Sequence, residues 1–127
     1  MPRRRTDQQL SLGQQLREAR LRAQLDPKEL AERAGVSVAA VYNCERIDRG
    51  GRVKTLIKLA EALGLRLRIP DLAAIRVERG LKIAKIALIS GLAFDTVRSI
   101  LSRPESANVR TLESVAASLK QPLLLVV

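Results

Sequence analysis

The sequence predicts an all-α fold of two tandem four-helix units, each followed by a short β-strand, and three observations predict it. The chain matches itself without a gap at an offset of 56 positions. Apolar residues recur at helical spacing in both halves, as helices that cover a core require. In each half a glycine interrupts this pattern between two short helical segments, where it permits a sharp turn.

The internal match joins core positions with turn and signature residues. Two Leu- and Ala-rich helical segments could match by chance, but the paired glycines and a Val-x-Thr-Leu signature share one offset with the core, which favours tandem duplication. The matched pairs are Leu16 and Leu72, Arg20 and Arg76, Leu25 and Leu81, Ala31 and Ala87, Gly35 and Gly91, Val41 and Val97, Val53 and Val109, Thr55 and Thr111, Leu56 and Leu112, Ala60 and Ala116, Leu63 and Leu119, and Leu67 and Leu123.

The length of 127 residues suits one ordinary domain or two very small ones. The repeat divides the chain into a basic N-terminal arm over 1–10, a first unit over 11–69 and a second unit over 70–127. Pro70 marks the boundary between the units. We expect each unit to carry its own set of helices and to end in its own strand.

Local signals place the helices of the first unit. A helix over 12–24 is followed by Asp26, Pro27 and Glu29, which form a capping box that starts a short helix ending at Gly35. Ser37 caps a third helix that runs to about residue 46. A fourth helix over 53–63 and an alternating strand over 65–69 complete the unit. A short helix, a glycine turn and a short helix outline a helix-turn-helix motif.

The second unit repeats this order of elements. Asp71 caps a helix to about residue 79, and helices over 81–90 and 93–101 flank Gly91. A helix over 109–119 leads to an apolar strand over 123–127. Because such an edge needs a partner, we expect it to pair with 65–69 of the same chain, with homodimerisation through the C-terminal strand as the competing arrangement.

The charge of the chain points to a polyanionic partner. The formal net charge is +10, and residues 1–69 carry fifteen Lys and Arg against eight acids, whereas 70–127 carries eight against five. Release of counterions from phosphate drives such a surface onto nucleic acid. An acidic protein partner would satisfy the same charge.

Several chemistries lack the residues they need. Cys44 is the single cysteine and histidine is absent, so we predict no metal site, no cofactor and no catalytic constellation, and therefore no enzyme. Apolar runs are too short for a membrane span, and the N-terminus lacks the apolar stretch of a signal peptide. The sequence predicts a cytoplasmic protein with no membrane partner.

Four motifs of the first unit form a specific pattern: Leu-Arg-x-x-Arg at 16–20, Glu-Leu-Ala-Glu-x-Ala-Gly-Val-Ser at 29–37, Glu-Arg at 45–46 and Thr-Leu-x-Lys-Leu-Ala-Glu-Ala-Leu-Gly at 55–64. With these motifs the unit resembles the Cro and phage-repressor family, often called XRE. The resemblance covers 12–64 well and the second unit more faintly. It implies a transcriptional regulator, expected to be a repressor, that binds double-stranded DNA with the helix after the turn in the major groove.

The resemblance also assigns residues. It implies base reading by Val38, Ala39, Tyr42 and Asn43, of which Asn43 is the strongest candidate because an amide can bond adenine in a bidentate fashion. Arg20 and Glu45 occupy the positions of a structural ion pair. Pro27 replaces the glutamine that meets a phosphate in the family, so Lys28 or nearby backbone amides would substitute. The expected backbone contacts are Ser37, Lys28, Arg46, Arg49, Arg52 and Lys54.

The second unit departs from the family pattern on its reading face. Asp95 would repel phosphate unless it accepts from a cytosine amine, and Leu101 replaces the glutamate that would pair with Arg76. If this unit also binds, two recognition helices in one chain would contact half-sites about 34 Å apart. Its possible DNA contacts are Phe94, Asp95, Arg98, Ser99 and Arg103.

Two further interpretations stay open. The run Arg3-Arg4-Arg5 suits an arm that enters the minor groove, or an exposed basic tail without specificity. The strand after the fourth helix is similar to that of HipB-type antitoxins, which implies an autoregulator whose second unit or C-terminal strand binds a protein toxin. Copurification of a partner would favour that alternative.

Overall fold

The computed structural model describes residues 10–46 and 51–127, so residues 1–9 of the N-terminal arm, with Arg3, Arg4 and Arg5, and Arg49 lie outside the described residues. Within these ranges the chain forms eight α-helices, one 3-10 turn and two short strands. The predicted mostly helical fold with two strands is confirmed. The helices are α1 Leu12–Arg22, α2 Pro27–Ala34, α3 Val38–Glu45, α4 Val53–Ala62, α5 Leu72–Glu78, α6 Ile83–Ser90, α7 Phe94–Ser102 and α8 Val109–Ser118, the strands are β1 Arg66–Arg68 and β2 Leu124–Val126, and the 3-10 turn is Pro104–Ser106.

The element ends lie within about two residues of the predicted ones, and the two largest differences have local causes. Helix α6 begins at Ile83 rather than at Leu81. The Leu81 N–H donates to the Arg76 carbonyl at 3.0 Å, so Leu81 belongs to the turn that precedes the helix. Helix α1 ends at Arg22, and Gln24 follows it with a left-handed φ of 60°. The 3-10 turn after α7 was not predicted.

Local caps explain where α2 begins and where α2 and α6 end. Asp26 accepts from the Glu29 N–H at 2.8 Å, and the Glu29 carboxylate accepts from the Asp26 N–H at 3.0 Å. Gly35 then ends α2 with a φ of 72°, and Gly91 ends α6 with a φ of 74°. Each glycine thus turns the chain at the predicted place, where a side chain would be strained.

The two strands pair with each other inside the chain. They are antiparallel, with Leu67 opposite Leu125. The other edge of β2 is closed by Gln15 of α1, whose Oε1 accepts from the Leu125 N–H at 2.9 Å and whose Nε2 donates to the Leu123 carbonyl at 2.9 Å. The expected pairing within the chain is confirmed, and a glutamine side chain satisfies the remaining edge.

Contacts at two places join residues separated by the offset of the sequence match. Arg52 forms an isolated antiparallel bridge with Asn108, 56 positions further on, and Arg68 faces Leu124, which is again 56 positions on. Beside the bridge the Val53 N–H donates to the Ala107 carbonyl at 3.0 Å, and the Val109 N–H donates to the Gly51 carbonyl at 2.8 Å. The two bonds are equivalent, because the two donors are 56 positions apart and so are the two acceptors.

The hydrophobic core is continuous across both halves. All eight helices contribute buried residues to one cluster. Helix α2 packs on α3 and α4, and α6 packs in the same manner on α7 and α8. The fully buried large side chains are Leu12, Leu16, Leu30, Leu56, Leu59, Ile86, Leu112 and Leu119, with Val41, Val53, Val97 and Val109.

Candidate nucleic-acid interface

Helix α3 presents one face to the core and the other to solvent. Val41 and Cys44 are buried, whereas Ala39, Tyr42 and Asn43 are exposed. Tyr42 keeps 53% of its surface exposed, which is high for an aromatic side chain. Val38, the remaining residue predicted to read bases, is partly buried. The structure therefore leaves the predicted reading face of α3 open among the described residues.

An ion pair fixes α3 against α1. The Arg20 Nε donates to Glu45 at 2.7 Å and its Nη2 at 3.0 Å, and its Nη1 donates to the Leu25 carbonyl at 2.9 Å. Both side chains are more than nine-tenths buried. The hydrogen bond to Glu45 raises the pKa of Arg20, so the guanidinium is charged at any physiological pH. Such a bidentate pair fixes direction as well as distance.

A close approach of the two helices supports the same arrangement. A Cβ on Gly13 of α1 would lie 2.6 Å from the Cys44 carbonyl oxygen and 3.0 Å from that of Glu45. Only a residue without a side chain allows α1 to lie this close to the end of α3. The sequence analysis missed this role, and the signal that could have revealed it is a glycine inside a helix, where glycine is otherwise unfavourable.

A shallow groove brings the end of the reading face together with the start of α4. It has a volume of about 240 Å³, and Asn43 and Arg52 both line it. Thr55 and Asn108 line it as well, although the sequence assigned neither of them to the site. Asn108 enters this groove from the other half of the chain through its bridge to Arg52, a neighbourhood that spacing within one unit could not reveal.

The remaining residues predicted to contact the backbone occupy different settings. Lys28, Arg46, Arg52 and Lys54 are exposed. The Ser37 hydroxyl accepts from the Ala40 N–H at 3.1 Å, which caps α3 and leaves the hydroxyl proton available to a phosphate. Arg49 lies outside the described residues.

The corresponding surface of α7 differs in charge and capping. Ala93 precedes α7 without a side-chain cap, and Phe94 is 49% exposed. Asp95 lies 3.5 Å from Arg98, one turn along, so the arginine is engaged by an acid of its own helix. Ser99 and Arg103, the other predicted contacts, are exposed.

Arg76 shows what the loss of the glutamate does. Its Nη1 donates 2.9 Å to the Leu81 carbonyl, as Arg20 does to Leu25, but its Nε is buried with no hydrogen-bond partner. Leu101, at the position of Glu45, offers no acceptor. The expectation that Arg76 lacks its usual partner thus corresponds to an unsatisfied buried donor.

The described residues contain no group of three or more His, Cys, Asp or Glu side chains that could hold a metal ion. Burial raises the pKa of Cys44 to about 11, so the group is a neutral thiol at physiological pH. None of the helices between residues 10 and 46 or between 51 and 127 has the length and hydropathy of a membrane span.

The capped helix α2, the glycine turn and the capped helix α3 define a helix-turn-helix. Residues 11–68, just under half of the chain, match the family model described as a helix-turn-helix domain. This segment is therefore similar to helix-turn-helix domains, a class of domain that binds DNA. Neither the curated proteins nor the solved structures include a significant match to the chain.

Proposed function

We propose that this protein is a sequence-specific transcriptional regulator of the Cro and phage-repressor (XRE) kind, which represses by occupying an operator. The observation that carries the proposal is the exposed face of α3, held rigidly against α1 by the Arg20 and Glu45 pair. A helix fixed in this way can enter the major groove with its side chains already oriented, and preorganisation reduces the entropic cost of binding.

The proposed contacts divide into base reading and backbone binding. Asn43 is the residue suited to adenine, because its amide both donates and accepts. Val38 and Ala39 suit thymine methyl groups, and Tyr42 lies close to base edges or backbone. The proposed phosphate contacts are Lys28, Ser37, Arg46, Arg49, Arg52 and Lys54. The net charge of +10 adds attraction that is independent of sequence.

We also propose that the chain arose by tandem duplication and forms an internal pseudo-dimer of units 11–69 and 70–127. The two contacts between residues 56 positions apart support this, since equivalent residues meet only near a two-fold axis. The closed edge of β2 supports a monomer rather than a homodimer formed through the C-terminal strand. The two units share one core and are not separate folding domains in this proposal.

Of the two turn-following helices, we infer that α3 alone reads bases. An exposed Asp95 at the reading face opposes phosphate, and Arg98 is already engaged by it. Phe94 occupies a position where the family pattern expects a direct contact and offers no hydrogen bond. One chain should accordingly cover one half-site instead of two half-sites a helical turn apart.

The alternative function is an antitoxin-type autoregulator that binds a protein toxin. Its support is the altered surface of the second half. The C-terminal strand is the weaker candidate for the toxin site, because the Leu125 N–H of β2 is already bonded to Gln15 of α1. This alternative keeps DNA binding by α3 and adds a partner. It therefore differs from the main proposal in what the second half does.

Selection from a random pool of double-stranded DNA tests the main proposal. The full-length chain should enrich a short motif and bind it at least about a thousandfold more tightly than a scrambled duplex at physiological salt. Binding that stays equal for every duplex and disappears with added salt would mean that the chain binds by charge alone.

A further inference from the structure

Helix α6 carries two apolar side chains that face solvent. Leu88 is 76% exposed and Ile89 is 54% exposed. The corresponding positions of α2, 56 residues earlier, hold the charged residues Glu32 and Arg33. The same structural position is thus charged in the half that matches the helix-turn-helix family and apolar in the other half.

Basic residues adjoin these apolar side chains. Lys82 and Lys85 are exposed, and together with Leu81 and Leu88 they line a groove of about 420 Å³ beside α6. Phe94, the first residue of α7, is a further aromatic side chain that is 49% exposed. We define Lys82, Lys85, Leu88 and Ile89 as the α6 patch.

A surface of this composition has a cost unless it is covered. Single exposed apolar residues are common on proteins, but adjacent ones beside a groove mark interaction sites more often than isolated ones do. No described residue covers Leu88 or Ile89. Phosphate would gain from the two lysines but nothing from the apolar side chains beside them, so the patch is poorly suited to DNA.

We propose that the α6 patch docks an acidic amphipathic helix of another protein. The apolar side of such a helix would cover Leu88 and Ile89, and its flanking carboxylates would lie against Lys82 and Lys85. A second copy of this chain is a poor occupant, because two α6 patches would bring four lysines together in a chain whose net charge is already +10. This site is separate from α3 and leaves DNA binding free.

The test uses a designed helical peptide titrated into the full-length protein. The peptide carries leucines along one face and glutamates on the flanks, and a control peptide keeps the glutamates but replaces the leucines by serine. The leucine peptide should shift the backbone amide resonances of residues 80–94 and should bind at least about tenfold more tightly than the serine peptide.

Matched variants distinguish binding at the α6 patch from non-specific hydrophobic binding elsewhere on the surface. The double variant Leu88→Ser with Ile89→Ser should weaken the leucine peptide at least about tenfold. Leu21→Ser, which removes a half-exposed apolar side chain from α1, should leave binding unchanged. A charge reversal, Lys82→Glu with Lys85→Glu, should also weaken binding while leaving the apolar surface intact.

Several results would overturn the proposal. These are equal binding of the two peptides, an equal loss in Leu21→Ser, or a wild-type dimer that Leu88→Ser with Ile89→Ser dissociates, which would make a second copy the occupant. Thermal unfolding of each variant checks the fold. Affinity for a selected DNA site should stay unchanged in Leu88→Ser with Ile89→Ser, which alters no charge, so failure of DNA binding and failure of the patch are separate outcomes.

Discussion

At the scale of single residues, two arginines at matching positions behave differently. Arg20 satisfies its guanidinium with Glu45 and Leu25, whereas Arg76 keeps the bond to a backbone carbonyl but leaves its Nε without an acceptor. The position of each arginine followed from the sequence match. The unsatisfied donor followed from Leu101, which was visible in the sequence as a departure from the family pattern.

This difference predicts unequal costs for the same substitution. Arg20→Met leaves the carboxylate of Glu45 buried without a partner, so it should reduce the free energy of unfolding by about 3 to 5 kcal/mol. Arg76→Met loses one hydrogen bond but also removes an unsatisfied buried donor, so its effect should stay within about 1 kcal/mol. Urea unfolding of both variants measures the difference. Equal losses would show that Arg20 and Glu45 contribute no more than a single hydrogen bond.

The sequence predicted some residues of the candidate site and missed others for physical reasons. The roles of Asn43 and Arg52 could be predicted because the family resemblance carries them over by position, and both residues are exposed. Gly13 and Asn108 could not, because their roles depend on the distance between α1 and α3 and on a bridge between the two halves. Contacts between segments far apart in the chain are not encoded in local spacing.

At the scale of elements, the helices and the glycine turns were predictable and the treatment of the strand edge was not. Capping residues and apolar periodicity are local, and they placed α2 and α3 closely. The apolar strand at the C-terminus was predicted to need a partner. The bonds from Gln15 to this strand could not be predicted, because they depend on how α1 lies against β2.

Removal of the Gln15 amide should expose the strand edge. Gln15→Ala removes the acceptor of the Leu125 N–H and the Gln15 bond to the Leu123 carbonyl, so it should cost about 1 to 3 kcal/mol of the free energy of unfolding. An open edge also invites pairing with another chain. Sedimentation should therefore show self-association that rises with concentration in this variant and not in the exposed control Arg17→Ala. A stable monomer with wild-type stability would refute this role for Gln15.

At the scale of the whole molecule, a carboxylate links the first helix to the last. Glu113 of α8 accepts from the Leu12 N–H at the start of α1, at 2.8 Å. Burial raises the pKa of Glu113, although the bond from Leu12 opposes that shift. The folded protein thus holds the proton more tightly than the unfolded chain, and ionisation of this group costs stability as the pH rises.

This linkage predicts a pH-dependent difference between wild type and Glu113→Gln. Glutamine keeps an acceptor for Leu12 without a charge, so the variant should gain free energy of unfolding relative to wild type as the pH rises from about 4 to 7. At the lower pH, where the wild-type carboxyl is protonated, the two proteins should be closer. Urea unfolding across this range measures the gap, with the exposed Glu105→Gln as control. A gap independent of pH would contradict the assigned cause.

The two halves also allow the central proposal to be tested with matched substitutions. Asn43 of α3 and Ser99 of α7 occupy corresponding positions, 56 residues apart. The quantity to measure is the ratio of affinities for the selected DNA site and for a scrambled duplex. Asn43→Ala should reduce that ratio about tenfold or more while leaving binding to the scrambled duplex nearly unchanged, and Ser99→Ala should leave the ratio intact. An equal loss on both duplexes for Asn43→Ala, or an equal reduction of the ratio by Ser99→Ala, would contradict sequence reading by α3 alone.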